Sequence, residues 1–139
     1  MTTTRQIVLS AVDFARLEPM IRDAVSNRAT GRELLCALHS KILQAQVLEP
    51  CEMPGDVVTM NSTVRLYDLA TDEIETYTLV YPGFEDLKKN CLSILTPLGT
   101  AMLGLCTGET LEWGSLGGWL HLRVEEVEFQ PESAGQYDL

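Results

Sequence analysis

The stretch Glu49-Pro50-Cys51-Glu52-Met53-Pro54-Gly55 divides this chain in two. Proline removes a backbone donor and glycine adds conformational freedom, so no helix runs through such a segment. Upstream of it, apolar residues recur at helical spacing; downstream, they mostly alternate as in strands. The expectation is an α+β fold. Residues 1–49 form a short antiparallel helical hairpin, and residues 55–139 form a mostly antiparallel sheet with one short helix. A length of 139 residues suits one domain, or a small domain with an appendage.

Within the first part, Ser10 followed by Asp13 reads as a helix start. Val12, Leu17, Ile21, Ala24 and Val25 fall on one helical face, with Pro19 expected to kink or divide the helix. Ser26-Asn27-Arg28-Ala29 reads as the turn, and Thr30-Gly31-Arg32-Glu33 as a capping box. The second helix is expected to run to about Gln46, with Leu35, Leu38, Ile42 and Ala45 along its seam. Arms of ~15 residues give a hairpin about 22 Å long.

In the second part, strands are expected at Thr63–Tyr67, Glu73–Tyr81 and Cys91–Leu95. Thr96 and Pro97 then start a helix, as cap and first residue, and Gly104 ends it. Thr110–Trp113 pairs across Gly114–Gly118 with a long strand from Trp119 to Phe129. Its inward residues are Leu120, Leu122, Val124 and Val127, with a bulge near Glu125-Glu126. Gln130 to Leu139 reads as a polar, loop-like tail.

Charge is unequally shared. Residues 1–50 carry six basic and five acidic side chains, whereas residues 51–139 carry four basic and fifteen acidic. Phosphate backbones repel the second surface, so direct sequence-specific nucleic-acid binding is not expected. A basic protein surface suits it better. Cys36, Cys51, Cys91 and Cys106 form no C-x-x-C pair, so no metal site and no cofactor are expected. The longest apolar run is far below the ~18 residues of a membrane span, and Met1–Arg5 leads into no signal-peptide pattern. A cytoplasmic monomer is the expectation.

Catalytic patterns are absent. The sequence holds no G-x-x-x-x-G-K-[ST], no G-x-G-x-x-G after a strand and no H-E-x-x-H. Gly114-Ser115-Leu116-Gly117-Gly118 sits between strands and reads as a hairpin turn. His39 lacks a second ligand one turn on, and His121 reads as a neutral strand histidine. Pairing His121 with Cys106 as base and nucleophile has no supporting pattern. Glu125, Glu126 and Glu128 read as a solvated strand face.

The segment from Ser93 to Glu109, Ser-Ile-Leu-Thr-Pro-Leu-Gly-Thr-Ala-Met-Leu-Gly-Leu-Cys-Thr-Gly-Glu, resembles the S-P-L-G-x-A-L-L-G-x-x-x-G-D signature of the Gre transcript-elongation factors. Val57 to Phe129 is similar in layout to their FKBP-like C-terminal domain. Glu52–Ser62, Leu79–Pro82 and Gln130–Gly135 further resemble the Gre-related regulators of nucleoside diphosphate kinase, a likeness covering nearly the whole chain. That resemblance implies a non-enzymatic transcription regulator. It implies binding to RNA polymerase at the secondary-channel rim, in competition with Gre factors. Thr96, Pro97, Leu98 and Gly99 are then the expected contact corner. The hairpin tip, Asn27, Arg28 and Ala29, offers arginine where a Gre tip presents carboxylates, and arginine does not ligate a cation. No stimulation of transcript cleavage is therefore expected. The alternative is an FKBP-like peptidyl-prolyl isomerase or chaperone, an activity that wants an aromatic-lined pocket.

Overall fold

A computed structural model describes residues 7–27, 32–115 and 118–135. Strand β1 (Val8–Ser10) leads directly into helix α1 (Ala11–Asn27). The Ser10 hydroxyl accepts the Asp13 amide at 3.1 Å, which is the helix start expected from the sequence. Leu17 and Ile21 on α1 are fully buried. Pro19 does not divide the helix, which runs continuously through it. Pro19 and Ala15, whose carbonyl loses its helical partner, are both exposed, so water can serve that carbonyl. Ser26 and Asn27, expected in the turn, instead close α1, and the Ser26 hydroxyl donates to the Arg22 carbonyl at 3.2 Å. The Thr30–Glu33 capping box reaches into residues 28–31, outside the described residues.

Helix α2 (Arg32–Leu43) buries Leu35, Leu38 and Ile42. It ends short of Gln46. Residues Gln46–Leu48 form β2, which pairs in parallel with β1. The Gln46 amide donates to the Ile7 carbonyl at 2.8 Å, so the chain exchanges helical bonds for ladder bonds at this point. The divider contains a 3-10 turn, Pro50–Glu52.

The second part is a five-stranded sheet: β3 (Thr63–Asp68), β4 (Ile74–Val80), β5 (Cys91–Ser93), β6 (Thr110–Ser115) and β7 (Gly118–Phe129). Their order is β5-β4-β3-β7-β6, so β3 is central. All pairs are antiparallel except β4 with β5. Between α3 (Pro97–Met102) and β6 the chain turns at Gly104, which has φ +86°. The bulge expected near Glu125-Glu126 is present: Arg65 pairs with Glu126, and Leu66 with Val124. A second shift lies between Thr63 opposite Phe129 and Val64 opposite Val127.

Val57–Met60 is buried, but joins no ladder beyond a single bridge from Val57 to Cys106. The tail departs from its polar appearance. Gln130 and Glu132 are buried, and the Gln130 side-chain amide donates to the Pro54 and Val57 carbonyls at 2.7 Å each. Satisfied bonds make such burial tolerable.

Contacts also cross the divider. Leu9, Leu17, Ile21, Leu38 and Ile42 share one core cluster with Val58, Met60, Val64 and Val124. A Cβ on Gly104 would sit 2.6 Å from the Ile7 Cβ, so only glycine lets the N-terminal strand lie this close.

Candidate functional site

The corner between β5 and α3 is built by one threonine. The Thr96 hydroxyl donates to the Ser93 carbonyl at 2.7 Å and accepts the Gly99 amide at 3.1 Å. Pro97 occupies the first helical position, where its missing N–H costs nothing. The Thr100 hydroxyl donates to the Ile94 carbonyl at 2.9 Å. Gly99 is buried because β5 lies against it: an added Cβ would meet the Ser93 carbonyl oxygen at 2.3 Å. Pro97 is exposed and Leu98 half-buried. All four expected corner residues are therefore adjacent and rigidly held.

The far end of α3 is held from the other part of the chain. Lys41, on α2, donates to the Thr100 carbonyl at 2.7 Å and the Ala101 carbonyl at 3.3 Å. An ammonium at a helix C-terminus complements the helix dipole. Burial lowers the Lys41 pKa to about 8, against the opposing pull of Glu109.

Leu98 opens onto a groove of about 230 Å³. Leu66, Leu122 and Tyr77 contribute its apolar lining, and Asp68, Glu73 and Glu75 supply three carboxylates. The Tyr77 hydroxyl donates to Glu75 at 2.7 Å; burial and that carboxylate push its pKa up to about 12. No lysine or arginine is among the described residues lining the groove. Such a surface suits a partner that brings an apolar side chain with a cation beside it. The groove was not anticipated, because its carboxylates come from the β3–β4 turn region and Leu98 from a helix some 25 residues later. The acidic bias of the second part was its only trace.

The other candidates have structural partners. Glu18 binds the His39 Nε2 at 3.0 Å, bridging α1 and α2. Arg65 pairs with Glu126 at 3.0 Å and Glu128 at 3.6 Å, and Arg123 pairs with Glu125, so the acidic row is an ion-paired strand face. Among the described residues no cluster of His, Cys, Asp and Glu is arranged to hold a metal ion, and no helix is long and apolar enough to cross a membrane. At the expected tip, Arg28 and Ala29 lie outside the described residues; Asn27 ends α1.

Residues 53–129 match the family model described as the C-terminal domain of transcription elongation factor GreA/GreB, which places the strand part in the Gre class. A solved structure titled as a prokaryotic transcription elongation factor GreA/GreB from Nitrosomonas europaea superimposes with a TM-score of 0.74. It shares 38% identity and covers 91% of this chain and 100% of that one. GreA of Magnetococcus marinus is 25% identical over 134 residues, 92% of this chain and 85% of that protein. The regulator of nucleoside diphosphate kinase of Escherichia coli strain K12 is 38% identical over 132 residues, 94% of this chain and 95% of that protein. The chain belongs to this Gre-related regulator family.

Proposed function

We propose that this protein is a non-enzymatic regulator that binds RNA polymerase at the rim of its secondary channel. It competes there with Gre elongation factors and does not stimulate transcript cleavage. The observation that carries the reading is the Thr96-capped corner, Thr96, Pro97, Leu98 and Gly99, opening onto an acidic groove in a chain of the Gre class. A helix start fixed by local hydrogen bonds among Ser93, Ile94, Thr96, Gly99 and Thr100 keeps Pro97 and Leu98 in place before a partner arrives, which lowers the ordering cost of docking. The three groove carboxylates select a basic partner.

The strand part is read as FKBP-like, and α1 with α2 as a shortened antiparallel hairpin. Helices of 17 and 12 residues rise about 25 and 18 Å, too short to carry a side chain deep into a channel. The protein acts in the cytoplasm as a monomer. The prolyl-isomerase alternative wants an aromatic cage; Tyr77 is the only aromatic among the described residues of the groove.

The two parts are proposed to be separable modules that share core contacts. Residues 55–139 should fold alone, with reduced stability because Val58, Met60 and Gly104 lose their partners from residues 7–42. A cooperative but lowered thermal melt of that fragment supports the division; a non-cooperative melt contradicts it.

The experiment for the main proposal is equilibrium competition. Labelled protein on core RNA polymerase should be displaced by an unlabelled Gre factor, and binding should weaken with added salt. Absence of binding, or simultaneous binding of both proteins, contradicts the proposal.

A further inference from the structure

Two separate pieces of the helical part close on the far end of α3. Lys41, on α2, donates from Nζ to the Thr100 carbonyl at 2.7 Å and to the Ala101 carbonyl at 3.3 Å. Ile7, just before β1, lies so near Gly104 that a Cβ added there would meet the Ile7 Cβ at 2.6 Å. The two pieces are themselves joined, because the Gln46 amide after α2 donates to the Ile7 carbonyl at 2.8 Å. The Thr100 and Ala101 carbonyls need a donor from outside the helix. The amides one turn on, Gly104 and Leu105, bond instead to the Val58 and Met102 carbonyls at 2.9 and 3.1 Å. Lys41 therefore supplies the bonds that the end of the helix lacks.

Helix α3 is too short to keep a direction of its own. Its six residues rise about 9 Å, well below the length at which a helix stands alone. The Thr96 and Thr100 hydroxyls tie it to the Ser93 and Ile94 carbonyls, at the end of β5. Bonds to a single neighbour leave a short helix room to tilt about it; the Lys41 bonds oppose that tilt from the other side. Leu98 precedes Thr100 by only two residues, so its place over the groove depends on both holds.

We propose that Lys41 is a positioning residue for the docking corner, fixing the direction of α3 and so joining the helical hairpin to Pro97 and Leu98 as one rigid docking unit. The inference rests on the docking proposed for that corner. A partner that meets both the corner and the hairpin then finds them at one set angle, with no ordering cost left for the encounter.

The test uses the full chain and compares Lys41→Met, Lys41→Arg and Leu35→Ala. Leu35 is the control: it is buried on the same helix but lies outside the core cluster shared with the sheet. Hydrogen exchange at the Gly99 and Thr100 amides is read against amides of the central strand β3, so that a general loss of stability does not count. In Lys41→Met the corner amides should exchange about tenfold faster relative to β3, and polymerase affinity should fall about tenfold. Lys41→Arg, whose fork can also donate to two carbonyls, should restore most of both. Leu35→Ala should raise the β3 rates without raising the corner relative to them. An unchanged corner-to-β3 ratio in Lys41→Met overturns the inference, as does a loosened corner with parental polymerase affinity. If the unsubstituted protein does not bind polymerase, the docking reading fails, and the exchange ratio still decides whether Lys41 holds the corner. One reading needs no variant: the Lys41 ammonium protons should exchange at least tenfold more slowly than those of the exposed Lys88 and Lys89, and equal rates overturn the inference whether or not a variant folds.

Discussion

Gly99→Ala should lower folding stability by about 3 kcal/mol, far more than one methyl group costs at an open site. The new Cβ would lie 2.3 Å from the Ser93 carbonyl oxygen and 3.0 Å from the Thr96 hydroxyl oxygen. The first contact is with backbone, which has no rotamer to escape into. That carbonyl also accepts both the Thr96 hydroxyl and the Thr96 amide. Relief therefore means moving β5 from α3, and the N-cap, worth about 1 kcal/mol by itself, goes with it. Urea unfolding of the variant beside the parent protein gives the number. A change within about 0.5 kcal/mol would mean that the corner yields freely, and that it is no rigid platform.

Leu98→Asp should weaken RNA polymerase binding by about 30-fold or more, equivalent to about 2 kcal/mol, while leaving the fold intact. Leu98 is half-buried and lines the groove beside Asp68, Glu73 and Glu75. An aspartate there would be desolvated by any partner covering the corner, next to three charges of its own sign. In the free protein the same carboxylate can turn to water, so far-ultraviolet circular dichroism and the melting temperature should move little. Titration of polymerase with parent and variant decides it. A folded variant with parental affinity would place docking on another face.

The corner was readable because its determinants are local. Thr96 caps Gly99 three residues on, and Pro97 sits at the one helical position where it fits. Likewise the alternation in β7, broken by the Glu125-Glu126 doublet, revealed the bulge opposite Arg65. The failures are of two kinds. Some arose where tertiary partners overrode a local pattern. The second helix looked set to run to about Gln46, yet it stops at Leu43, and Gln46–Leu48 pairs with Val8–Ser10. Pro19 looked set to kink or divide the helix; its solvent-facing position lets α1 continue undivided. Others concern polar residues whose partners are remote. Asp13 looked like a helix-start residue, and its backbone does serve there. Its carboxylate binds residues 47 and 68 positions away, a separation that leaves no local signature. Gln130 and Glu132 looked like tail, but bind backbone and hydroxyl groups 73 positions away or more. Apolar periodicity specifies which face is buried. It carries no information on which polar side chains accompany that face inwards.

The measurement that bears most directly on the proposed function is a time course of RNA shortening in backtracked transcription complexes carrying labelled transcript. With this protein alone, cleavage should stay at the intrinsic rate. With a Gre factor present, added protein should slow the stimulated cleavage, and excess Gre factor should restore it, as competition for one site requires. Helices of 17 and 12 residues, and an arginine at position 28 in place of a carboxylate, both argue against delivery of a catalytic metal. Acceleration by this protein alone, abolished by Asp23→Ala or Glu33→Ala, would contradict the account and make the hairpin carboxylates its functional tip.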